Sequence, residues 1–213
     1  MGVLNITPDS FSDGGLFLDS MSAVTKAQLM VEEGAGIIDI GGESTRPGAP
    51  EVSSDDELKR VIPVIEALNG NIDVPISIDT SKPIVMKEAF VAGASIINDV
   101  NALRANGALE MAAELGADVC LMHMQGNPRT MQNKPTYDNV VDDVKEFFHE
   151  RIAACKSVGI PLSSITIDPG FGFGKNLGHN IALLKNLSEF RNFGVSILAG
   201  LSRKSMIGVL LGD

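Results

Sequence analysis

Residues 76–99, ISIDTSKPIVMKEAFVAGASIIND, contain one strand, one helix and a second strand. Residues 76–78 and 95–97 are short apolar runs, which are typical of parallel strands buried on both faces. The stretch 83–92 between them begins with proline and is followed by Gly93, as expected for a helix. The segment therefore predicts a β-α-β unit, whose two strands are parallel.

The same alternation extends over the whole chain. The predicted strands are residues 3–4, 37–40, 76–78, 95–97, 119–122, 165–167 and 195–198. The predicted helices are residues 20–33, 54–68, 83–92, 107–115, 137–158 and 180–190, and another begins after Lys204. Helix 54–68 is expected to start with a capping box of Ser54 and Glu57 and to kink at Pro63. Strict β-then-α alternation indicates a parallel sheet, either doubly wound and open or closed as an eight-stranded barrel.

Polar residues after the predicted strands favour the barrel. Almost every strand is followed by a polar or glycine-rich segment, whereas a doubly wound sheet concentrates such residues at one switch point. Because seven strands can be counted, we expect an α/β protein with an incomplete (β/α)8 TIM barrel that lacks the eighth strand and the last helix. Since no linker interrupts the pattern, we expect a single domain over residues 1–213.

The composition excludes several classes of partner. With 17 Lys and Arg against 27 Asp and Glu, the net charge is -10, which argues against binding of nucleic acid or an anionic membrane. An anionic ligand must therefore meet a local cluster of cations. Cys120 and Cys155 suggest neither a disulfide framework nor a spaced metal motif, so we expect a reducing, cytoplasmic environment. A magnesium ion needs only one or two oxygen ligands, and spacing does not exclude it.

Three side chains with acceptor oxygens come directly after predicted strands: Asp79, Asn98 and Asp168. In a barrel they converge on one mouth. Two carboxylates and an amide suit a ligand rich in N–H donors, such as an amino-pyrimidine ring. The alternative is that each side chain only caps the helix that follows it.

Hydroxyls and cations follow the seventh predicted strand, in the segment GLSRKS at residues 200–205. Because this is the end of a barrel that commonly binds phosphate, Ser202, Arg203 and Lys204 suit an anion at a helix N-terminus. The alternative is a basic helix start on the protein surface.

Three glycine-rich loops are further candidates. Residues 5–15 and 41–48 are either mobile loops that close on a ligand or ordinary connections. Residues 170–175, GFGFGK, lack the spacing and the Ser or Thr of a nucleotide-binding P-loop. Phe171 and Phe173 either flank a flat aromatic ligand or pack in the core.

As a set, these segments resemble the bacterial dihydropteroate synthase family. The motifs that carry the resemblance are residues 5–15, 41–48, 79–83, 96–99, 168–175 and 202–204. The resemblance covers essentially the whole chain and implies the (β/α)8 barrel. It implies an enzyme of folate biosynthesis that joins 6-hydroxymethyl-7,8-dihydropterin diphosphate to p-aminobenzoate and releases pyrophosphate. It also implies a cytoplasmic homodimer and a target of sulfonamides.

The resemblance assigns roles to residues of this sequence. The implied pterin-binding set is Asp79, Asn98, Asp168 and Lys204, and the implied pocket wall is Val100, Met122, Phe173 and Gly200, with Phe171 as a further candidate. The groups implied around p-aminobenzoate and pyrophosphate are Thr45, Arg46, Pro47, Ser202 and Arg203. Asp9 and Phe11 belong to loops that order over the pterin, and Asn5 is the implied ligand of Mg²⁺. The residues expected to act in catalysis are Asp79, Asp168, Lys204 and Arg46.

The implied mechanism is dissociative. Pyrophosphate leaves, a cation forms at the pterin methylene, and the amine of p-aminobenzoate attacks it, so that no nucleophilic side chain is required. Family members continue beyond residue 213 and carry a short segment before residue 1, so a truncated, non-catalytic pterin-binding fragment is an alternative. A pterin-dependent methyltransferase domain is another, although it does not need the Ser202-Arg203-Lys204 segment.

Overall fold

The computed structural model describes residues 1–6, 15–45, 48–126, 131 and 135–212, with the side chains of all of these except residues 15–20, 205, 210 and 211. Strands and helices alternate throughout. The strands are β1 (Gly2–Asn5), β2 (Ile38–Gly41), β3 (Ile76–Asp79), β4 (Ile96–Asp99), β5 (Asp118–Met122), β6 (Ile165–Asp168) and β7 (Ser196–Ile197). The α-helices are α1 (Gly15–Glu32), α2 (Ser54–Leu68), α3 (Pro83–Ala92), α4 (Ala108–Glu114), α5 (Val140–Ser157), α6 (Leu177–Lys185) and α7 (Ser205–Leu211).

The strands follow chain order, β1 to β7, in one sheet, and the registers described are parallel. This confirms the predicted α/β alternation, and every predicted strand is found within two residues of its expected ends. Within the described residues the sheet has seven strands, as counted from the sequence.

The start of α2 differs from the prediction. The N-cap residue is Ser53, whose Oγ accepts a hydrogen bond of 3.1 Å from the backbone N–H of Asp56. The capping box predicted for Ser54 and Glu57 is therefore wrong, because Glu57 is fully buried and pairs with a lysine instead of returning to the cap. The helix continues through Pro63 to Leu68.

The predicted helix 180–190 is two elements in the structure. Helix α6 begins three residues earlier, because Asn176 Oδ1 accepts from the backbone N–H of His179 at 2.9 Å and the His179 ring accepts from the N–H of Asn176 in return. The helix ends at Lys185, and a 3-10 helix, Leu187–Phe193, follows it. At the junction the Asn186 side chain donates to a carbonyl of the last turn.

The chain contacts divide it into two compact units, and the first contains residues 1–44, 50–99 and 103–119. Strands β1 to β4 lie in this unit. Their register aligns Asn5 with Gly41, Gly41 with Asp79, and Asp79 with Asn98. The carboxyl ends of four adjacent strands therefore carry one row of polar residues and a glycine.

The second unit contains residues 45–49, 100–102 and 120–213. Strands β6 and β7 pair in it, with Thr166 opposite Ser196. Its core includes a group of aromatic rings centred on Phe148 of α5, which makes edge contacts with Phe147, Phe190 and Phe193 at centroid distances of 5.4, 6.1 and 6.1 Å. Phe148 and Phe190 have no exposed surface. The single-domain prediction for residues 1–213 stays a prediction.

Replacing Phe148 with Ala is expected to lower the free energy of unfolding by about 3–5 kcal/mol, because it removes a fully buried ring and leaves a cavity among its neighbours. Urea unfolding followed by circular dichroism measures the loss. Val91→Ala is the control, since Val91 is 77% exposed and the change is expected to stay within about 0.5 kcal/mol. A loss below about 1 kcal/mol in the Phe148 variant would contradict its central place in this core.

Candidate functional site

In the first unit, side-chain oxygens surround a glycine at the strand ends. A Cβ added at Gly41 would lie 3.5 Å from Asp79 Oδ2 and 3.6 Å from Asn5 Oδ1. Glycine therefore leaves room beside these two oxygens, which a side chain at this position would fill. Asn98, at the end of β4, is the register neighbour of Asp79 and is partly exposed. These positions agree with the expectation that acceptor oxygens gather after the strands.

Four other carboxyl groups act on Asp79. Burial is the main cause that raises its pKa well above the usual value for Asp, and the charges of Asp39, Asp99, Glu57 and Glu43 raise it further, in that order. Ionisation of Asp79 is thus less favourable than that of an Asp in solvent. A ligand that brings N–H donors or positive charge to this place relieves the repulsion, which fits the donor-rich ligand expected from the sequence.

Lys82 balances part of this negative charge. Its Nζ donates to both Glu43, in the loop after β2, and Glu57, on α2. Burial disfavours the charge of Lys82, but the hydrogen bonds to Glu43 and Glu57 outweigh it and raise the pKa. Arg60 on α2 also donates to the carbonyl of Gly42 at 2.8 Å. Together these contacts fasten the beginning of the loop that leads to Thr45.

Asp99 fixes the loop after β4. Its carboxylate has no exposed surface, accepts from the Ser81 hydroxyl and accepts from the backbone N–H of Leu103 at 2.8 Å. The Asp99 carboxylate thus binds groups of the protein itself. The neighbouring Asn98, in contrast, is partly exposed.

In the second unit, Asp168 ends β6 in a buried position. Its Oδ1 accepts from the N–H of Gly170 at 2.8 Å, and a Cβ added at Gly200 would lie 3.6 Å from its Oδ2. Burial raises the pKa of Asp168 to about 6, although the Gly170 N–H, Lys204 and Lys175 act in the opposite direction. Gly200 therefore leaves one face of this carboxylate open.

Lys204 lies beside an aromatic and apolar wall. Its Nζ is 4.2 Å from the centroid of the Phe173 ring, a cation–π distance. Burial lowers the pKa of Lys204, and the charge of Asp168 partly restores it. Phe173 packs with Val100 against a buried methionine cluster of Met122, Met124 and Met131. A flat ring and a cation beside Asp168 suit a planar ligand with both polar and apolar surface.

Lys175 holds the glycine-rich loop in place. Its Nζ donates to the carbonyls of His123, Gly170 and Phe173 at 3.2, 3.0 and 3.0 Å, and it lies 2.9 Å from the His123 ring nitrogen Nδ1. The residue is only 3% exposed, and this burial lowers its pKa to about 7. Lys175 therefore stabilises the conformation of the loop between β6 and α6.

The other predicted site residues that the structure describes differ in their exposure. Thr45 is partly buried, whereas Ser202 and Arg203 are exposed, and Arg203 has a positive φ of 57°. Phe171 is 1% exposed and belongs to the core. The predictions for Asp9, Phe11, Arg46 and Pro47 lie outside the described residues.

The sequence analysis assigned no individual role to several polar residues around these groups: Asp39, Glu43, Glu57, Lys82, Asp99 and Lys175. One signal was available for Asp39, which is a charged residue inside the apolar run Ile37-Ile38-Asp39-Ile40. A buried strand has no reason to carry a carboxylate unless a partner or a function requires it. No comparable signal distinguishes Lys82 or Glu57 from solvated residues, since their pairing joins distant parts of the chain.

No group of three or more His, Cys, Asp and Glu side chains in the part of the chain that the structure describes is placed to hold a metal ion. None of the described helices is long and apolar enough to cross a membrane.

The sequence model of pterin binding enzymes matches residues 1–213. The chain belongs to this pterin-binding family. The curated dihydropteroate synthase of Escherichia coli (strain K12) is 58% identical over 211 residues, which are 99% of this chain and 75% of that protein. The dihydropteroate synthase of Haemophilus influenzae is 55% identical, with coverage of 99% and 77%.

Solved structures of the pterin-binding family agree in fold. Yersinia pestis dihydropteroate synthase in a sulfonamide drug complex has a TM-score of 0.93 and 54% identity, and the match covers 100% of this chain and 78% of that one. Xanthomonas albilineans dihydropteroate synthase in complex with 7,8-dihydropteroate has a TM-score of 0.88 and 48% identity, with coverage of 100% and 76%. The predicted family and fold class are thereby confirmed.

Lys82→Met is expected to destabilise the pterin-binding fold by about 3–5 kcal/mol, because it leaves Glu57, whose side chain is 1% exposed, without its counter-ion. Urea unfolding measures the change. Lys59→Met is the matched control, since the Lys59–Asp56 pair is exposed and is worth at most about 1 kcal/mol. If Lys82→Met/Glu57→Leu were no more stable than Lys82→Met alone, the buried charge would not be the cause.

Asp168 makes a pH-dependent contribution to stability. Its folded-state pKa of about 6 lies above the unfolded value of about 4, so the folded state binds more protons between these values. The contribution of Asp168 to the free energy of unfolding therefore falls as pH rises from about 4 to about 6, by about 3 kcal/mol. Asp168→Asn is expected to lose this slope in urea unfolding at a series of pH values, whereas Asp118→Asn, at an exposed position, keeps it. Equal slopes in Asp168→Asn and the unchanged protein would contradict the assignment.

Proposed function

We propose that the chain catalyses the dihydropteroate synthase reaction with Asp79, Asn98, Asp168 and Lys204 as its pterin-binding groups. The reaction condenses 6-hydroxymethyl-7,8-dihydropterin diphosphate with p-aminobenzoate and gives 7,8-dihydropteroate and pyrophosphate. The observation that carries the function is the 58% identity to a dihydropteroate synthase over 99% of the chain. The enzyme class is transferase, in folate biosynthesis.

The two sets of polar groups support the pterin assignment. In the first unit, burial and then the charges of neighbouring carboxyl groups raise the pKa of Asp79, and N–H donors of a pterin would compensate both effects. In the second, Asp168 and Lys204 offer one acceptor and one cation beside the Phe173 ring. Val100, Met122 and Gly200 complete the proposed pocket wall, and Phe171 supports it from the core.

The remaining substrate contacts are proposed from the family resemblance. Thr45, Arg46, Pro47, Ser202 and Arg203 are assigned to p-aminobenzoate and the pyrophosphate edge. The exposure of Ser202 and Arg203 suits groups that meet a charged ligand. Asp9 and Phe11 are assigned to the loop that covers the bound pterin.

The chemistry requires charge stabilisation and no covalent intermediate. Positive charge develops on the pterin as pyrophosphate departs, and the carboxylates of Asp79 and Asp168 favour that charge. Lys204 and Arg46 favour the anion that leaves. Burial of Asp168 strengthens its part in this, because solvent does not screen charges in the interior as it does on the surface.

Magnesium is the proposed metal, with Asn5 as its protein ligand. Asn5 Oδ1 lies beside the open position at Gly41, and an amide oxygen is a suitable donor for Mg²⁺. A single protein ligand is sufficient when substrate phosphates and water supply the others. The ion would neutralise the diphosphate of the substrate.

We further propose a cytoplasmic homodimer, as implied by the family. The two cysteines are buried thiols, which is compatible with a reducing compartment. The small-molecule substrates require neither nucleic acid nor a membrane.

Purified protein is expected to release pyrophosphate when dihydropterin diphosphate, Mg²⁺ and p-aminobenzoate are all present, with saturation in p-aminobenzoate. Asp79→Asn is expected to lower kcat/KM by at least about a hundredfold, since it removes charge stabilisation from the pterin. Asp73→Asn, on an exposed residue, is the control. A coupled pyrophosphate assay measures both.

Each other outcome identifies an alternative. A folded protein that binds pterin but releases no pyrophosphate would be the non-catalytic pterin-binding module. Methyl transfer from a methylated pterin, without coupling of p-aminobenzoate, would indicate the methyltransferase.

A further inference from the structure

Asp39 is a buried carboxylate one layer below the polar row at the strand ends. It precedes Gly41 by two residues on β2, so both belong to the same face of the sheet. Gly41 is in register with Asp79, and Asp79 with Asn98. Asp39 is 3% exposed, so it is not itself a surface for ligand contact.

Asp39 is joined to Asn98 by a hydrogen bond. The side-chain nitrogen Nδ2 of Asn98 donates to Asp39 Oδ2 at 3.1 Å. The ionised carboxylate can only accept hydrogen bonds, so it pairs with the NH2 end of the amide. The opposite end, Oδ1, is consequently turned away from Asp39.

This pairing settles an ambiguity that every asparagine carries. The two ends of the amide have almost the same shape but opposite hydrogen-bonding character. Without a partner of fixed character, Asn98 would present a donor or an acceptor to a ligand by a simple rotation. With Asp39 beneath it, the acceptor end is held outward.

The buried position of Asp39 is unfavourable for its charge and for one of its oxygens. Burial raises its pKa, and its Oδ1 has no hydrogen-bond partner among the described residues. The Ser77 hydroxyl lowers the pKa in part, although Ser77 Oγ does not reach hydrogen-bond geometry with any described group. If position 39 served only packing, an apolar residue would give a more stable folded protein, because it would bury no polar group.

We infer that Asp39 is a positioning residue that orients the Asn98 amide so that Asn98 Oδ1 accepts from an N–H donor of the pterin. The inference rests on the proposed function, because it assumes that Asn98 contacts the pterin. Asp39 acts through Asn98 and does not touch the substrate. It therefore controls pterin recognition and leaves the p-aminobenzoate contacts unchanged.

Two substitutions separate the acceptor from other properties of Asp39. Asp39→Asn keeps an acceptor oxygen and removes the charge, while Asp39→Leu keeps the branched shape and removes the acceptor. Ile40→Val is the matched control, since Ile40 is fully buried on the same strand and faces the other side of the sheet. If Asp39→Leu does not fold, Asp39→Ser replaces it, because its hydroxyl is too short to reach Asn98.

The first measurement uses the protein without ligand. The side-chain NH2 signals of Asn98, assigned by their loss in Asn98→Ser, are expected to show slow exchange with solvent and a downfield proton in the unchanged protein. We expect both features to disappear in Asp39→Leu and to persist in Asp39→Asn and Ile40→Val. Signals of Asn98 that do not respond to Asp39→Leu would overturn the inference.

The second measurement is steady-state kinetics with both substrates. Asp39→Leu is expected to raise the KM for the dihydropterin diphosphate about tenfold or more, with the KM for p-aminobenzoate within about twofold. Asp39→Asn is expected to stay within about threefold on both. An equal rise in both KM values, or the same rise in Ile40→Val, would make Asp39 a structural residue only. Absence of turnover and of pterin binding in the unchanged protein would refute the proposed function, and the Asn98 signals would still decide the orientation.

Discussion

The stability of the first unit depends on how it accommodates several acidic side chains near the carboxyl ends of its parallel strands. In the first unit, five carboxyl groups, Asp39, Glu43, Glu57, Asp79 and Asp99, lie close enough for the others to raise the pKa of Asp79. Parallel strands are normally apolar because helices cover them, so such a concentration of acid opposes folding. The fold tolerates it because Lys82, Ser81 and backbone N–H groups neutralise or bind several of these oxygens.

Internal lysines have the same task in both units, at different strengths. Lys82 is bound to two carboxylates and keeps its charge, with a raised pKa. Lys175 is bound to three carbonyls, which are dipoles and not charges, and its pKa falls to about 7. At Lys82 the Glu43 and Glu57 carboxylates outweigh desolvation, whereas at the more deeply buried Lys175 desolvation outweighs the charge of Asp168, and the charge of Lys204 lowers the pKa further. Each lysine fixes one loop that follows a strand, the loop after β2 or the loop after β6.

The sequence predicted those features that depend on position along the chain. Asp79, Asn98 and Asp168 could be placed at strand ends because a polar residue after an apolar run marks the end of a buried strand, and their role in binding stays a proposal. Ser53 was missed as the N-cap because Ser54 and Glu57 also satisfy the capping pattern, and only the burial of Glu57 decides between them. Lys82 and Lys175 depend on contacts between residues that are far apart in the sequence, and composition and periodicity do not encode those contacts.

The net charge of -10 is compatible with the binding of an anionic substrate. The proposed substrate combines a donor-rich pterin ring with an anionic diphosphate, and one uniform charge would suit only one of these. Asp79 and Asp168 are the acids proposed to suit the ring, and Ser202, Arg203 and Lys204 form a local group of hydroxyl and cationic side chains in the second unit. Because a carboxylate accepts hydrogen bonds from a donor and repels an anion, the proposed substrate requires acidic groups for the ring and cationic groups for the diphosphate. An overall acidic protein can therefore bind an anionic substrate without a generally basic surface.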